Sequence, residues 1–118
     1  MTPLETVNAF IRALEANDLD TACSMVDEKC EYDNVPMIKV FGPEGVRGIL
    51  GPMFANCSQI EWVIHRQAES GNVVFNERLD RFEMPHGWVE LPVNGVWEVV
   101  DGKITRSEEH TSELQSRL

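Results

Sequence analysis

Arg78 and Asp80 lie two residues apart in segment 73–82, whose β-branched and aromatic residues predict a strand between two turn-forming segments. Side chains alternate between the two faces of a strand, so the guanidinium and the carboxylate are neighbours. Three further residues share their face: Val74, Asn76 and Phe82. An unpaired buried charge is costly. This face therefore either is solvated and carries an exposed ion pair of little energetic weight, or lines a pocket.

Asp80 is the member of the pair that could transfer a proton. Arg78 alone lowers the pKa of the adjacent carboxyl group, whereas burial between Val74 and Phe82, or a second carboxylate nearby, raises it. A general acid that works at neutral pH requires that the raising effects prevail. The sequence leaves that balance open.

The composition excludes several classes of partner. The chain has 118 residues, enough for one domain, and 42% hydrophobic residues suffice for a single core. With 20 acidic and 10 basic side chains the net charge is -10, which disfavours nucleic acid and anionic membranes as partners. No apolar run approaches the roughly 18 residues of a membrane span, and the N-terminus lacks the pattern of a signal peptide. We predict a soluble, cytoplasmic protein.

Cysteine and histidine spacing predicts neither disulfides nor a metal site. The cysteines are odd in number, widely spaced and without a C-x-x-C pattern: Cys23, Cys30 and Cys57. Free, mostly buried thiols are therefore expected. The three histidines show no ligand spacing either.

Three helices are predicted in the first half of the chain. Thr2 begins a capping box, and apolar residues at helical spacing continue over residues 3–16. Asp18 or Asp20 caps a short second helix that includes Val26 and ends near residues 27–28.

Pro43 opens a third helix. Proline removes a backbone donor, so Gly51-Pro52 should bend or interrupt it.

Strands follow. Tyr32 and Asn34 point the same way on a brief strand that Pro36 halts. An alternating segment after Ser58 turns at residues 70–72 into the strand of Arg78 and Asp80.

A long strand from Trp88 to Val100 follows, with Pro92 and Gly95 suggesting a bend or a bulge. Asp101-Gly102 is a hairpin turn into the last strand. Helices first and an antiparallel meander afterwards predict an α+β domain, with N-terminal helices packed on one face of a curved, mostly antiparallel mixed sheet.

The chain divides at about residue 105. Residues 1–105 read as the single domain, whereas residues 106–118 have Leu114 and Leu118 as their only strongly apolar residues. This tail resembles the translation of a sequencing adapter fused to an interrupted reading frame, a pattern familiar from assembled environmental (metagenomic) sequence. We exclude it from the predicted fold and expect that the natural C-terminus has been replaced.

Three separated motifs resemble the limonene-1,2-epoxide hydrolase family in order and spacing. They are Tyr32-x-Asn34 followed by Pro36, Glu77-Arg78-x-Asp80, and Asp101-Gly102-Lys103-Ile104-Thr105. The resemblance covers about residues 4 to 105. It implies the cone-shaped α+β fold shared with nuclear transport factor 2 and ketosteroid isomerase, and cofactor-independent hydration of a small apolar epoxide, terpene-like or cyclic, to a vicinal diol.

The resemblance also implies roles for four residues. Asp80 would be the general acid that protonates the epoxide oxygen, and Arg78 would lie between it and a second aspartate. Tyr32 and Asn34 would hold the attacking water, whose proton the second aspartate would take. At the position of that aspartate this chain has Glu109, within the tail. Its side chain is one methylene longer, and we do not expect the tail to pair correctly with the sheet.

The substrate pocket should be apolar. Its candidate residues also have the spacing of core residues: Met53, Trp62, Phe82, Leu91 and Val93. The resemblance further implies a homodimer built on the outer face of the sheet, to which Trp88 and Trp97 could contribute, and neither a metal nor an organic cofactor.

Two other classes of function stay open. A ketosteroid-isomerase-like or polyketide-cyclase-like enzyme would use Asp80 or Asp33 to move a proton at carbon, with Tyr32 as an oxyanion donor. Such chemistry needs no arginine between two acids, so Arg78 favours the hydrolase. The other class is a catalytically inactive binding or dimerisation domain, since one fold hosts many functions.

Overall fold

A single mixed sheet carries all the described strands, with the helices packed on one of its faces. The computed structural model describes residues 1–35 and 38–111. The helices are α1 (Pro3–Glu15), α2 (Leu19–Ser24) and α3 (Gly42–Phe54). The strands are β1 (Val26–Val35), β2 (Ile38–Phe41), β3 (Gln59–Ser70), β4 (Val73–Met84), β5 (Gly87–Val100) and β6 (Lys103–Thr111). Their order is β2-β1-β6-β5-β4-β3, and the pairing of β1 with β6 is parallel while the other pairs are antiparallel. The predicted α+β class is confirmed.

The first helix forms as its sequence predicts. The Thr2 side chain accepts from the backbone of Glu5, whose own side chain accepts from Thr2. The apolar stripe of α1 is fully buried, and it comprises Val7, Phe10, Ile11 and Leu14. The ring of Phe10 meets that of Trp97 edge to face, with the centroids 5.6 Å apart. In the described part of the chain, no helix is long and apolar enough to cross a bilayer.

The second helix is shorter than predicted. Asp18 caps it as expected, but it ends at Ser24, and Val26 begins β1 instead of facing inward from a helix. The reason is tertiary: the Ile104 N–H donates to the Met25 carbonyl at 2.7 Å, and Val26 is in register with Ile104. Pairing with β6 therefore overrides local helical propensity.

The third helix is not interrupted at Gly51-Pro52, contrary to expectation. Pro43 occupies its first turn, as predicted, and Pro52 lies only two residues before its end. The Ala55 N–H still donates to the Gly51 carbonyl at 3.0 Å, so the last turn closes around the proline.

A bend or a bulge is predicted at Pro92 and Gly95, and no bulge forms there in the pairing of β4 with β5. The register between β4 and β5 is continuous through both residues, and the irregularity of β5 lies between Glu98 and Val99, opposite β6. Pro92 is tolerated because it lies just beyond the last described pair of β5 with β6. At the other end, Asp101 and Gly102 have positive φ values of 51° and 75°, as a tight hairpin turn between right-twisted strands requires.

The last strand is longer than predicted. β6 continues through residues 106–111 and pairs on both sides, with β1 and with β5, so the expectation that the tail would not join the sheet is wrong for these residues. The apolar pattern failed because the inward positions at this end of β6 are buried but polar: Ser107, Glu109 and Thr111. Leu114 and Leu118, in the rest of the tail, and Pro36 lie outside the described residues.

Candidate active site

A small cavity lies between α3 and the inner face of the sheet. Its volume is about 120 Å³. All nine residues predicted from the sequence line it, on five elements: Tyr32, Asn34, Met53, Trp62, Arg78, Asp80, Phe82, Leu91 and Val93. Three others complete the lining: Leu50, Glu109 and Thr111. The face of β4 that carries the Arg78 pair is thus a pocket wall and not a solvated surface.

Arg78 is the centre of the polar part of this cavity. Its side chain is completely buried, and its Nε and Nη2 atoms each donate to one carboxylate oxygen of Asp80 at 2.9 Å. This two-point contact fixes both the distance and the plane of the carboxylate. Nη1 points away from Asp80 and donates to Glu109 Oε2 at 3.1 Å. One guanidinium therefore bridges two carboxyl groups.

Aromatic and amide groups hold the guanidinium in place. The ring of Trp62 lies 4.4 Å from Arg78 Cζ, and that of Trp97 lies 5.7 Å from it. Asn76, the preceding inward residue of β4, accepts from Arg78 Nη1 at 2.8 Å through Oδ1. The same Oδ1 atom accepts from Trp97 Nε1 at 3.3 Å. With its charge paired and its planar faces covered, Arg78 has little freedom to move.

Glu109 reaches the cavity because β6 lies between β1 and β5. It is in register with Asn34 on one side and with Gly95 on the other. Only 3% of its surface is exposed. One carboxylate oxygen, Oε2, contacts Arg78, while Oε1 is buried without a hydrogen-bond partner among the described residues. A buried acceptor of this kind calls for a donor such as water.

Tyr32 and Asn34 lie on β1, the strand that pairs with β6 and thus with Glu109. Tyr32 is buried and Asn34 is partly exposed, and both line the cavity, as their spacing on the strand predicts. Burial raises the pKa of Tyr32 well above its ordinary value, and the charge of Glu109 adds to this, so its hydroxyl remains protonated. A phenol, an amide and a carboxylate thus line the same cavity, and each of them can form a hydrogen bond with water.

Burial decides the protonation balance that the sequence leaves open. It is the main cause that raises the pKa of Asp80, and the hydrogen bonds and charge of Arg78 only partly offset it. Burial likewise raises the pKa of Glu109. The positive charge of Arg78 lowers this pKa, and the negative charge of Asp80 raises it further. Two ionised carboxylates beside one guanidinium would leave a buried net charge, whereas one retained proton makes the cluster neutral. The two acids therefore titrate as a coupled pair that favours sharing one proton.

This raised pKa has a measurable effect on stability. Unfolded glutamate has a pKa of about 4.3, so above that pH the folded state binds more protons at Glu109 than the unfolded state does. Its contribution to the free energy of unfolding therefore falls as pH rises through its folded pKa. We expect Glu109→Gln to have little effect at pH 4 and to stabilise the protein at pH 8, as measured by urea denaturation.

The adjacent Glu108 is the matched control, since a hydrogen bond from His110 lowers its pKa and burial opposes this only weakly. Its contribution to stability is present above the unfolded pKa and is lost as pH falls. Glu108→Gln should therefore lose stability at pH 8 relative to pH 4. Identical pH trends for the two variants would contradict the assignment of burial as the cause at Glu109.

The rest of the cavity is apolar. Phe82 and Val93 are buried, whereas Met53 is 36% exposed and lies at the edge. A larger hollow of about 300 Å³ lies on the opposite face of the sheet, against Phe75 and Glu77. These residues alternate with Asn76 and Arg78 along β4, so their side chains point away from the paired carboxyl groups.

Comparison with known proteins bears on this site. The model of the limonene-1,2-epoxide hydrolase catalytic domain matches residues 1–111. The chain belongs to this family. The match includes six residues of the tail, 106–111, which also belong to β6. Whether residues 106–118 are foreign stays a prediction.

Two relatives illustrate the limonene-1,2-epoxide hydrolase family. The chain is 33% identical over 99 residues to "Epoxide hydrolase EphG" of Mycobacterium tuberculosis; the match covers 84% of this chain and 66% of that protein. The chain thus spans slightly less than two thirds of the relative's length. A solved LEH-like epoxide hydrolase of M. tuberculosis superimposes with a TM-score of 0.83 at 30% identity, covering 92% of this chain and 81% of that one.

More distant structures share the fold alone. One of them is the "putative SnoaL-like polyketide cyclase" from Shewanella putrefaciens. It superimposes with a TM-score of 0.86 at 12% identity, and the match covers 98% of this chain and 93% of that one. Similarity at this level carries no information about activity.

Sequence reasoning missed part of the environment of Arg78 in this family member. The alternation along β4 correctly places Asn76 on the same face as Arg78. It does not indicate that Asn76 accepts a hydrogen bond from Arg78. The prediction that Trp97 could contribute to a homodimer on the outer face of the sheet is wrong, because Trp97 is completely buried against Phe10 and Asn76. Its position in the alternating series with Val93 and Val99 was the available signal.

Proposed function

We propose that this chain is a cofactor-independent epoxide hydrolase that adds water to a small apolar epoxide to give a vicinal diol. The observation that carries the proposal is the buried pair of carboxyl groups, Asp80 and Glu109, joined by one guanidinium at the wall of an apolar cavity. The family match supports the same activity.

In the proposed reaction the two carboxyl groups have opposite tasks. Water bound by Tyr32 and Asn34 attacks an epoxide carbon while Glu109 takes one of its protons. The carbon–oxygen bond of the ring breaks at the same time, and the leaving oxygen takes a proton from Asp80. One O–H bond of water is broken and one new O–H bond is made on the diol. The step leaves Glu109 protonated and Asp80 ionised, and one proton must pass between them to reset the site.

The position of each group favours this assignment. Asn34 and Glu109 are register neighbours, so the water-binding groups are next to the base. Asp80 lies farther along the wall, on β4 between Arg78 and Phe82, where an apolar ring can approach. Water is a poor nucleophile at neutral pH, so most of the catalytic gain comes from holding it in line with the carbon while it loses a proton. No step of this scheme requires a metal or an organic cofactor.

The cavity favours a compact substrate. Its volume of about 120 Å³ is small for a ligand site, and such sites usually measure about 300–1,000 Å³. Trp62 is the largest side chain in the lining and is 3% exposed. We therefore propose small cyclic epoxides as the first substrates to test, ahead of full terpene epoxides.

Trp62→Leu tests this size limit. Removing the ring should enlarge the cavity and raise kcat/KM for a bulky terpene epoxide relative to a small cyclic one by about 10-fold, since steric selection in apolar pockets is of this order. The ratio is measured with both epoxides competing in one reaction. Trp88→Leu is the matched control, because Trp88 is 39% exposed and lies outside the cavity lining. An unchanged ratio in Trp62→Leu would contradict the proposed limit.

We also propose that the protein forms a homodimer through the outer face of the sheet. Several apolar side chains on that face are exposed: Val63, Phe75, Trp88 and Val100. Sedimentation equilibrium tests this, and Phe75→Lys should shift the protein towards monomer. A monomeric parent chain at micromolar concentration would contradict the proposal.

The activity itself is tested with a panel of small cyclic and terpene epoxides, with diol formation followed by gas chromatography. We expect diol from at least one of them. If the folded protein forms no diol but exchanges protons at carbon in ketones, the isomerase-like alternative would replace the proposal. If it does neither, the binding-domain alternative would.

The panel should include Glu109→Asp, because the resemblance implies aspartate at this position. The aspartate side chain is one methylene shorter than that of glutamate. We propose that residues 106–118 are a foreign segment, and that Glu109 therefore occupies the position at which the family has its catalytic aspartate. A gain in kcat with Glu109→Asp supports this origin. A loss would show that this site is adapted to glutamate.

A further inference from the structure

Gly95 occupies the centre of a row of residues that crosses the sheet beneath the polar cluster. On β5 it is in register with Asn76 of β4 on one side and with Glu109 of β6 on the other. Glu109 lines the cavity, Asn76 lies on the same buried face of the sheet, and both accept from Arg78. Gly95 is the only position of this three-residue row without a side chain.

The space above Gly95 is filled by the polar ends of its neighbours. A Cβ atom at Gly95 would lie 2.5 Å from Glu109 Oε2, 2.6 Å from Asn76 Oδ1 and 2.7 Å from Arg78 Nη1. Real Cβ atoms essentially never come closer than 3.0 Å to such neighbours. These three atoms form two hydrogen bonds, which Arg78 Nη1 donates to Asn76 and to Glu109. Any side chain at residue 95 must therefore displace them.

We propose that Gly95 is a positioning residue: its missing side chain lets Arg78 on β4 reach across β5 to Glu109 on β6. The proposal rests on the proposed function, in which this bridge couples the acid to the base. Adjacent strands lie about 4.8 Å apart, so β4 and β6 are separated by two such spacings. A contact between their side chains over an intervening strand requires that strand to leave a gap.

The requirement for glycine is not a matter of backbone conformation. Gly95 is not among the residues with positive φ, and the register of β5 with both neighbours is regular at this point. Alanine therefore fits the backbone. The three atoms it would displace all belong to side chains, so the clash disturbs the contacts that hold Arg78 and not the backbone of the sheet. The predicted consequence is a misplaced Arg78–Glu109 contact in a folded protein.

Gly95→Ala is the test, with Gly48→Ala as its control. Gly48 lies within α3, and a Cβ there would meet nothing within 4 Å. We expect Gly95→Ala to lower kcat about 10- to 100-fold with a smaller change in KM, since misplacement by about 1 Å can cost 100-fold in rate. The pH profile of kcat should also shift, because the coupling of the two carboxyl groups changes. Gly48→Ala should match the parent chain in all three quantities.

A second measurement separates this proposal from the proposed function. The guanidinium N–H signals of Arg78 in nuclear magnetic resonance spectra report its contacts whether or not any epoxide is turned over. They should move in Gly95→Ala and not in Gly48→Ala. Unmoved signals would overturn the proposal, whereas an inactive parent chain with moved signals would overturn only the hydrolase.

Glu109→Asp provides a rescue. Glu109 Oε2 is the atom closest to the added methyl group, and the shorter side chain retracts it. In the double variant we expect the Arg78 N–H signals to return part of the way towards those of Glu109→Asp alone. If Gly95→Ala fails to fold, recovery of folding by Glu109→Asp supports the proposal. Failure of the double variant to fold would overturn the proposal. It would indicate that the backbone at residue 95 requires glycine.

Discussion

Asp80→Asn is expected to lower kcat for epoxide hydrolysis by about 100- to 10,000-fold, the usual contribution of a positioned general acid. The amide keeps the size of the side chain, and its single oxygen can still accept from Arg78. It cannot give a proton to the opening epoxide. KM should change much less than kcat, because the loss falls on the transition state. Steady-state kinetics of diol formation measure both quantities.

Glu77→Gln is the matched control for this variant. Glu77 lies on the same strand, but on the opposite face, where it is exposed and pairs with Arg66. It should retain the parent kcat. A parent-like rate in Asp80→Asn, with far-ultraviolet circular dichroism unchanged, would remove Asp80 from the mechanism.

Arg78→Met should have the largest effect on stability. Removing one partner of a buried ion pair typically costs about 3–5 kcal/mol, because the remaining charge is left buried and uncompensated. Here two carboxyl groups lose the guanidinium that both of them contact, and both would be protonated up to a higher pH than in the parent chain. We expect the free energy of unfolding from urea denaturation to fall by this amount at pH 8, and by less at pH 5. Activity should be lost at both values.

Arg66→Met tests whether such a loss is specific to Arg78. The Arg66 side chain is 78% exposed and pairs with Glu77 on the outer face. Exposed pairs contribute at most about 1 kcal/mol, so this variant should unfold close to the parent chain. Equal stability losses in the two variants, or a loss in Arg78→Met that does not depend on pH, would contradict the buried cluster.

The strand that carries Arg78 and Asp80 could be predicted because one face of it is buried. Alternation then places every second side chain on the inner face of the sheet, and all five residues assigned to that face are buried. Tyr32 and Asn34 followed from the same rule. The sequence could not show that burial outweighs Arg78 at Asp80, because that balance depends on residues from several elements.

The end of β6 shows where pattern reasoning fails. An apolar period is expected of a central strand, yet Ser107, Glu109 and Thr111 are buried and polar. Glu109 and Thr111 line the cavity. Backbone pairing with β1 and β5 holds this segment in the sheet whatever its side chains are. Val26 was misassigned for a related reason, since pairing with Ile104 is not visible in the local sequence. The local sequence suggests only a bend or a bulge at Gly95, because the contacts above Gly95 involve side chains from two other strands.

The central claim is that water attacks the epoxide directly while Asp80 and Glu109 exchange protons with it. It is tested most directly by a single turnover, with enzyme in excess of a small cyclic epoxide, in water enriched in the heavy oxygen isotope. The account predicts that the diol carries one heavy oxygen atom and that mass spectrometry finds none in peptides containing Asp80 or Glu109. Label in either carboxyl group, with unlabelled diol in the first turnover, would contradict it and indicate a covalent ester.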